Sequence, residues 1–307
     1  MRILFLTQVL PYPLDSGAKV RAYHVLQYLT SRHQVTLVSF SRDSDSAAAI
    51  DHLRELCHAV HLVPLKRSRL NEVLDIVRSL VAAQPFTILR DRRRAMHQLL
   101  IHLVTDQYFD IIHADQLTMA QYALLADSVI LDRSPSARPK LVLDAHNAYY
   151  LIPQRMASVS RSFFLKKFLQ REARLLAQYE AETYRCFDEV LTVTENDQTS
   201  IQQLSPFDSA QPRFTTMPIC VDADQPFVQR RSNPHGLLML GGLHWPPNAD
   251  AVRWFAHEVL PVIKQQIPDV QLFIVGARPP QNILALADVA HLHQLDQANG
   301  ASIVVTG

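Results

Sequence analysis

The chain has 307 residues with a formal net charge of +1; 48% are hydrophobic and 19% charged. That length suits about two domains with sizeable cores, the composition excludes a disordered chain, and the balanced charge gives no bulk pull toward nucleic acid. Its 7 glycines exclude a collagen-like chain, and its 3 cysteines (Cys57, Cys186 and Cys220), far apart and odd in number, encode neither a disulfide framework nor a Cys-rich zinc site and fit a reducing compartment.

The opening MRILFLTQVL is apolar but is cut by Pro11 and Pro13. It reads as a buried strand over Arg2 to Thr7, not as a signal peptide, and no apolar run reaches the length of a membrane span. A turn-rich stretch, Gln8 to Gly17, leads to a helix from Gly17 to Ser31 with Ala22, Val25, Leu26 and Leu29 on one side. Val35 to Phe40 is the next strand. Ser41 to Ser46 then caps a helix from Ala47 to Cys57, and Val60 to Leu65 is a third strand. Leu70, Val73, Leu74, Val77, Leu80 and Val81 keep helical spacing, as do Met96, Leu99, Leu100, Leu103 and Val104. Asp110 to His113 is strand-like, Leu117 to Ala126 helical, and Leu141 to Asp144 strand-like. A long helix is expected over Ser158 to Cys186, a strand at Val190 to Val193 and a helix from Glu195 to Leu204. Strands alternating with helices imply βαβ units and a parallel sheet, an α/β fold.

Five prolines crowd the stretch from 206 to 235, which reads as a linker between a first lobe, 1–205, and a second, 236–307. In the second lobe Leu237 to Leu240, Val270 to Val275 and Ser302 to Val305 read as strands, with helices at Asn248 to Gln266 and Ile283 to Asp288. About 70 residues is short for a self-standing domain, and a last parallel strand lacks a covering helix, so the second lobe is expected to be incomplete. A naturally short lobe is the other reading.

Ligands of open parallel sheets bind beyond the strands' carboxyl ends, so the residues following each strand are the candidates. After the first strand come Pro11, Tyr12, Pro13, Asp15, Ser16 and Gly17. Gly17 at a helix start would let backbone N–H groups approach an anion, or it is simply a turn glycine. No G-x-G-x-x-G and no Walker motif is present. His146 and Asn147 follow the strand ending at Asp144, and His113 and Asp115 end the preceding strand. A histidine there either bonds a sugar hydroxyl or reacting group or is a structural group held by backbone. In the second lobe Gly241 and Gly242 end a strand and allow a close backbone approach to phosphate, Asn248 looks like a helix N-cap, and Gly276 ends the next strand.

P-x-P-x-D-S-G after strand one, D-A-H-N after a middle strand and G-G-L-H-W-P-P-N opening the second lobe together resemble the family-4 retaining glycosyltransferases of the GT-B fold. The resemblance implies two Rossmann-like lobes with parallel sheets, facing across a cleft, the first holding the acceptor and the second a nucleotide-sugar donor. It matches Gly17 to the glycine approaching the donor diphosphate, His146 to the histidine contacting the transferred sugar, and Gly241 and Gly242 to the donor-phosphate turn. Asp15, Ser16, His113 and Asn147 become acceptor- or sugar-side candidates. It implies no cofactor and no metal. The linker departs from the family's Pro-Asn-Gly-Val-Asp, reading Pro218, Ile219, Cys220, Val221 and Asp222. The family's second-lobe basic pair and its two glutamates would fall beyond Gly307. Glu172 and Glu180 have that spacing but lie in a first-lobe helix, and the match is read as accidental.

Two D-x-D pairs, Asp43 with Asp45 and Asp222 with Asp224, have the spacing of a divalent-metal site, but the first lies in a capping composition and the second in the linker. His291 and His293 read as surface residues. The basic aromatic stretch Ser160 to Arg174 reads either as a helix packing a Phe face on the core or as one lying on an anionic membrane. Arg90, Arg92, Arg93 and Arg94 around Asp91 read as a solvated helix start. The function expected is transfer of a sugar from a nucleotide sugar to a hydroxyl of a glycan or lipid-linked acceptor, with retention, by a cytoplasmic protein that associates with the membrane's inner face. A non-catalytic binding module and a nucleotide-sugar epimerase are the alternatives.

Overall fold

A computed structural model of the protein describes residues 1–134, 136, 138–204, 212–220, 235–287, 289–290 and 302–306. The chain divides into two units, 1–223 and 224–307, each built on its own parallel sheet.

The first unit's strands are β1 (Arg2–Thr7), β2 (Gln34–Ser41), β3 (Ala59–Pro64), β4 (Ile111–Asp115), β5 (Lys140–His146), β6 (Glu189–Thr192) and β7 (Arg213–Thr216). They form a seven-stranded sheet in the order β3-β2-β1-β4-β5-β6-β7, every neighbouring pair parallel. Its helices are α1 (Gly17–Thr30), α2 (Ala47–Leu56), α3 (Arg69–Ala82), α4 (Phe86–Arg90), α5 (Arg94–Asp106), α6 (Leu117–Arg133), α7 (Leu151–Val159), α8 (Phe163–Tyr184) and α9 (Glu195–Gln202). The apolar run of β1 is buried on both faces. Ile3 and Phe5 pack with Tyr23, Leu26, Ala49 and Leu53 of α1 and α2, while Leu4 and Leu6 pack with Leu100, Ala120 and Ala123 of α5 and α6. This is why the strand shows no alternation. Chain order reverses between β1 and β4, so their carboxyl ends flank the crevice where open α/β sheets bind ligands.

The second unit holds β8 (Gly236–Leu240), α10 (Pro246–Trp254), α11 (Leu260–Gln266), β9 (Gln271–Val275), α12 (Gln281–Leu284), β10 (Val289–Ala290) and β11 (Ile303–Thr306). Its sheet runs β10-β11-β9-β8 over a core of Leu243, Val252, Leu260, Leu272, Ile274 and Ile283. Among the described residues no helix is long and apolar enough to cross a membrane.

Several expectations change. The stretch read as linker contains β7, which pairs with β6; Arg213–Thr216 is a short, Pro-flanked run suited to a sheet's edge. The helix expected over Ser158 to Cys186 starts at Phe163, capped by Ser162, and a separate α7 precedes it. A π-helical turn at Phe255–Val259 divides α10 from α11, where Pro261 cannot donate its backbone N–H. Helix α3 turns its polar side inward: Asp75 and Ser79 are buried while Leu70, Val73, Leu74, Val77, Leu80 and Val81 are exposed. The Phe face of α8 is likewise not core-packed, since Phe163 and Phe164 are exposed and Phe168 rests on Phe86. Nor is Asp91 solvated: it is fully buried between Gln8 and Arg67. Glu172 and Glu180 are structural, each binding two backbone N–H groups, those of Phe86 and Thr87 and those of Tyr149 and Tyr150. Asp222, Asp224, His291, His293 and most of the 206–235 stretch lie outside the described residues.

Candidate active site at the carboxyl edge of the first sheet

Four charged or ionisable side chains converge where β4 and β5 end. Asp115 closes β4, Asp144 and His146 close β5, and Arg21 reaches them from the second turn of α1. Arg21 Nε donates to both oxygens of Asp144, at 2.9 and 2.8 Å, and Nη1 donates to the Met217 carbonyl just past β7. Both partners are nearly inaccessible, at 2% and 1% side-chain exposure. A buried ion pair of this kind, one N–H shared between two carboxylate oxygens, fixes direction more than it adds net stability, because desolvation offsets much of the attraction. Its effect is to hold the N-terminus of α1 against the sheet edge.

His146 ends β5 in a left-handed conformation, φ 60°, after a register shift between Asp144 and His146. Gln116, after β4, also has positive φ at 72°, and its N–H donates to the Asp144 carbonyl. Strained backbone of this kind collects at functional sites. The turn aims the imidazole back at β4, where Nε2 lies 2.8 Å from Asp115 Oδ1 and 3.9 Å from Asp144 Oδ1. Burial alone would lower the His146 pKa; the charge and hydrogen bond of Asp115, with Asp144 behind, outweigh it and raise the pKa above the ordinary value. With Nε2 held by Asp115, Nδ1 has no hydrogen-bond partner among the described residues and the ring keeps 14% exposure. The site therefore presents Nδ1 to a ligand, on a ring that holds its proton more tightly than an ordinary imidazole.

His113 belongs to the layer beneath. It is 5% exposed and stacks on Phe5 with centroids 4.5 Å apart. Burial pushes its pKa down to about 4, so it is a neutral group inside the sheet, not one on the rim. Asn147 is exposed, its N–H turned to the Ala145 carbonyl. Asp15, Ser16 and Gly17 are exposed at the start of α1, with Asp15 paired to Lys19 at 2.9 Å. Ser16 makes no side-chain cap, and a Cβ added to Gly17 would meet nothing within 4 Å. The first turn of α1 thus has no side-chain cap, and packing does not demand glycine there.

Asp115, Asp144 and His146 offer ligand atoms within 4.8 Å of one another, a spacing a cation could use. Both oxygens of Asp144 already accept from a guanidinium, so the donor set suits an ion-pair network better than a metal. Of the D-x-D pair at 43 and 45, Asp45 accepts from the Arg42 N–H in the turn before α2, a structural role.

In the second unit the glycine turn is built from backbone. Gly241 N–H donates to the Val275 carbonyl, and a Cβ on Gly276 would lie 1.7 Å from the Gly241 oxygen, so only glycine fits there. Asn248 is not the N-cap of α10, a position held by Trp245; its Nδ2 instead donates to the Gly242 carbonyl at 3.1 Å. The Cβ positions of Gly241 and Gly242 border Asn248 and His244, each at 3.0 Å.

Of the residues singled out from sequence, Asp115 and His146 meet here. Arg21 and Asp144 are the partners that sequence reasoning passed over. An arginine on the inner face of an otherwise apolar amphipathic helix was the available signal.

The family model for Glycosyltransferase Family 4 matches residues 16–225. A curated relative, an uncharacterized 44.6 kDa protein in the cps region of Klebsiella pneumoniae, is 20% identical over 90% of this chain. The chain spans 64% of that relative's length. Among solved structures, UGT2 of Phytolacca americana, complexed with UDP-2fluoro-glucose and pterostilbene, aligns with a TM-score of 0.49 at 11% identity, covering 99% of this chain and 70% of that one. HepE of Anabaena, in complex with UDP and glucose, aligns with a TM-score of 0.41 at 15% identity, covering 90% and 60%.

Proposed function

The chain belongs to Glycosyltransferase Family 4, and from that premise we propose that it takes part in moving a sugar from a nucleotide-diphosphate sugar to a hydroxyl acceptor, with retention of configuration. The observation that carries the reading is the Asp115–His146 pair on the carboxyl edge, with Nδ1 left for a ligand. Charge grows on the leaving diphosphate in the transition state. Fixed N–H donors stabilise that charge without reorganising. The first turn of α1 at Gly17 would supply such donors in the first unit, and in the second, where Gly241 N–H is taken by the Val275 carbonyl, the Gly242 N–H would. His146, oriented through Nε2 by Asp115, presents Nδ1 to the sugar or acceptor hydroxyl. No cofactor or metal is assigned, which agrees with Asp144 being neutralised by Arg21.

The test is release of nucleoside diphosphate from a panel of nucleotide-diphosphate sugars, with and without acceptor. His146→Ala should slow release by roughly 10²-fold with the melting temperature little changed. Equal rates for the two proteins would remove His146 from the site. Donor binding without turnover would make the chain a binding module, and turnover without acceptor would favour an epimerase.

The membrane partner is proposed on the outward apolar stripe of α3. The exposed Phe163 and Phe164 with the cations Arg161, Lys166 and Lys167 at the start of α8 add a second apolar and basic surface, and Arg171 of α8 ties that helix to Ser79 of α3. An apolar surface rimmed by positive charge complements an anionic bilayer face. Co-sedimentation with anionic vesicles should exceed that with neutral ones and fall with salt; equal recovery with both would sink the assignment.

A further inference from the structure

A second charged cluster lies on the same edge of the first sheet, and the chemistry above does not use it. Gln8 directly follows β1, Arg42 directly follows β2, Arg67 comes shortly after β3, and Arg90 and Asp91 end α4. Asp91 is the buried centre, at 1% side-chain exposure. Its Oδ2 accepts from Gln8 Nε2 at 3.1 Å and its Oδ1 from Arg67 Nη2 at 2.9 Å. Its backbone carbonyl accepts from the Tyr122 hydroxyl at 2.6 Å. Arg90 Nε lies 3.7 Å from Oδ1, beyond hydrogen-bond reach, and is buried without a partner. Arg42 Nη2 donates to Gln8 Oε1 at 3.2 Å, and among the described residues no carboxylate comes within 4.0 Å of its guanidinium.

Two guanidiniums, Arg67 and Arg90, therefore share one buried carboxylate, and a third, Arg42, is linked to it only through Gln8. Each carries five N–H groups. Among the described residues the three make two side-chain hydrogen bonds between them, Arg42 to Gln8 and Arg67 to Asp91. Neutralising Asp91 accounts for Arg67 but leaves Arg42 and Arg90 as excess. The pKa of Arg42 is lowered by desolvation and then by the charge of Arg67, with Asp45 and Asp91 opposing, which records the crowding of like charge. The surplus is not sealed in: Arg67 and Arg90 keep 33% and 26% side-chain exposure.

We propose that Arg42, Arg67 and Arg90 form the subsite for an anionic group, phosphate or carboxylate, carried by the acceptor. This rests on the glycosyl-transfer reading and adds the acceptor's class to it. Guanidinium forks match both anions and bind them through paired N–H donors. The cluster lies toward β2 and β3, while the α1 start and the second unit's glycines are left to the donor.

Isothermal titration of the full chain with inorganic pyrophosphate and with glucuronate tests this. At least one probe should bind, and Arg42→Gln should weaken it about tenfold or more, the loss expected for one charge-assisted contact. Arg42 is no partner of Asp91, so this variant leaves that pair intact, and its melting temperature should match wild type. Arg67→Lys keeps the charge but loses the fork and should also weaken binding. A nucleotide-diphosphate sugar at saturation should not displace the probe. The preferred probe tells phosphate from carboxylate. No binding of either probe, unchanged affinity in Arg42→Gln, or displacement by the donor would overturn the proposal. A chain that turns over a donor yet ignores both probes loses this subsite alone; one that binds a probe through Arg42 but no nucleotide sugar keeps an anion site and loses the glycosyl-transfer reading.

Discussion

The two sheets end their strands differently. At the first sheet's carboxyl edge the groups are side chains with charge: Arg21, Asp115 and Asp144, buried, and the partly exposed His146, joined in ion pairs. At the second sheet's edge the corresponding turn is backbone, closed by Gly276 against Gly241 and latched by Asn248. The first edge keeps its shape through electrostatics, so it responds to charge changes and to pH. The second keeps its shape through steric fit, so it responds to a single methyl group.

Breaking the Arg21–Asp144 pair is the largest test of that contrast. Asp144→Ala leaves a buried guanidinium without its counter-charge and should cost about 3–5 kcal/mol in urea unfolding. A double replacement, Arg21→Met with Asp144→Leu, should recover much of it. A loss under about 1 kcal/mol for the single variant would mean that the pair does not organise the edge.

Acid titration comes next. His113 has a folded pKa of about 4, below its unfolded value near 6.5, so the unfolded chain takes up the proton first. Stability should fall by a few kcal/mol as pH drops from about 6.5 toward 4, and His113→Gln should flatten that limb. His146 acts in the opposite sense. Its raised pKa stabilises the fold fully below about 6.5, and that contribution is lost as pH rises through the folded value. Glu180, raised to about 7 by burial against its hydrogen bonds, likewise weakens the fold as pH climbs from about 4.5 to 7. Pulsed hydrogen exchange across that range would register these changes in the first unit and little in the second.

Glycine replacements sharpen the comparison from the other side. Gly276→Ala forces a Cβ onto the Gly241 carbonyl and should destabilise the second unit by about 1–3 kcal/mol. Gly17→Ala meets nothing and should leave stability within about 0.5 kcal/mol, while lowering donor affinity under the proposed function. Weakened folding in Gly17→Ala, read by thermal melting, would show that packing needs that glycine after all.

Much of the frame was legible because buried parallel strands are short apolar runs, and β1, β2, β5 and β9 announce themselves that way. His146 was legible as a residue beyond a strand. Its partner Arg21 was not, since the two ends of the Arg21–Asp144 pair are 123 positions apart and nothing local couples them. Helix α3 misled for a physical reason. Periodicity reports that a helix has two unlike faces, not which one meets the protein, and here Asp75 and Ser79 face in. Strand β7 was hidden by flanking prolines, which mark a linker and an edge strand equally well.

The bond from Arg21 to the Met217 carbonyl has a mechanical side. Through one guanidinium, the point where the chain leaves the last strand of its sheet is tethered to the helix that begins at Gly17 and to the carboxylate two residues ahead of His146. A pull on the chain at Met217 would travel along that tether, so the outer edge of the sheet is mechanically coupled to the first helix and to the carboxyl end of β5.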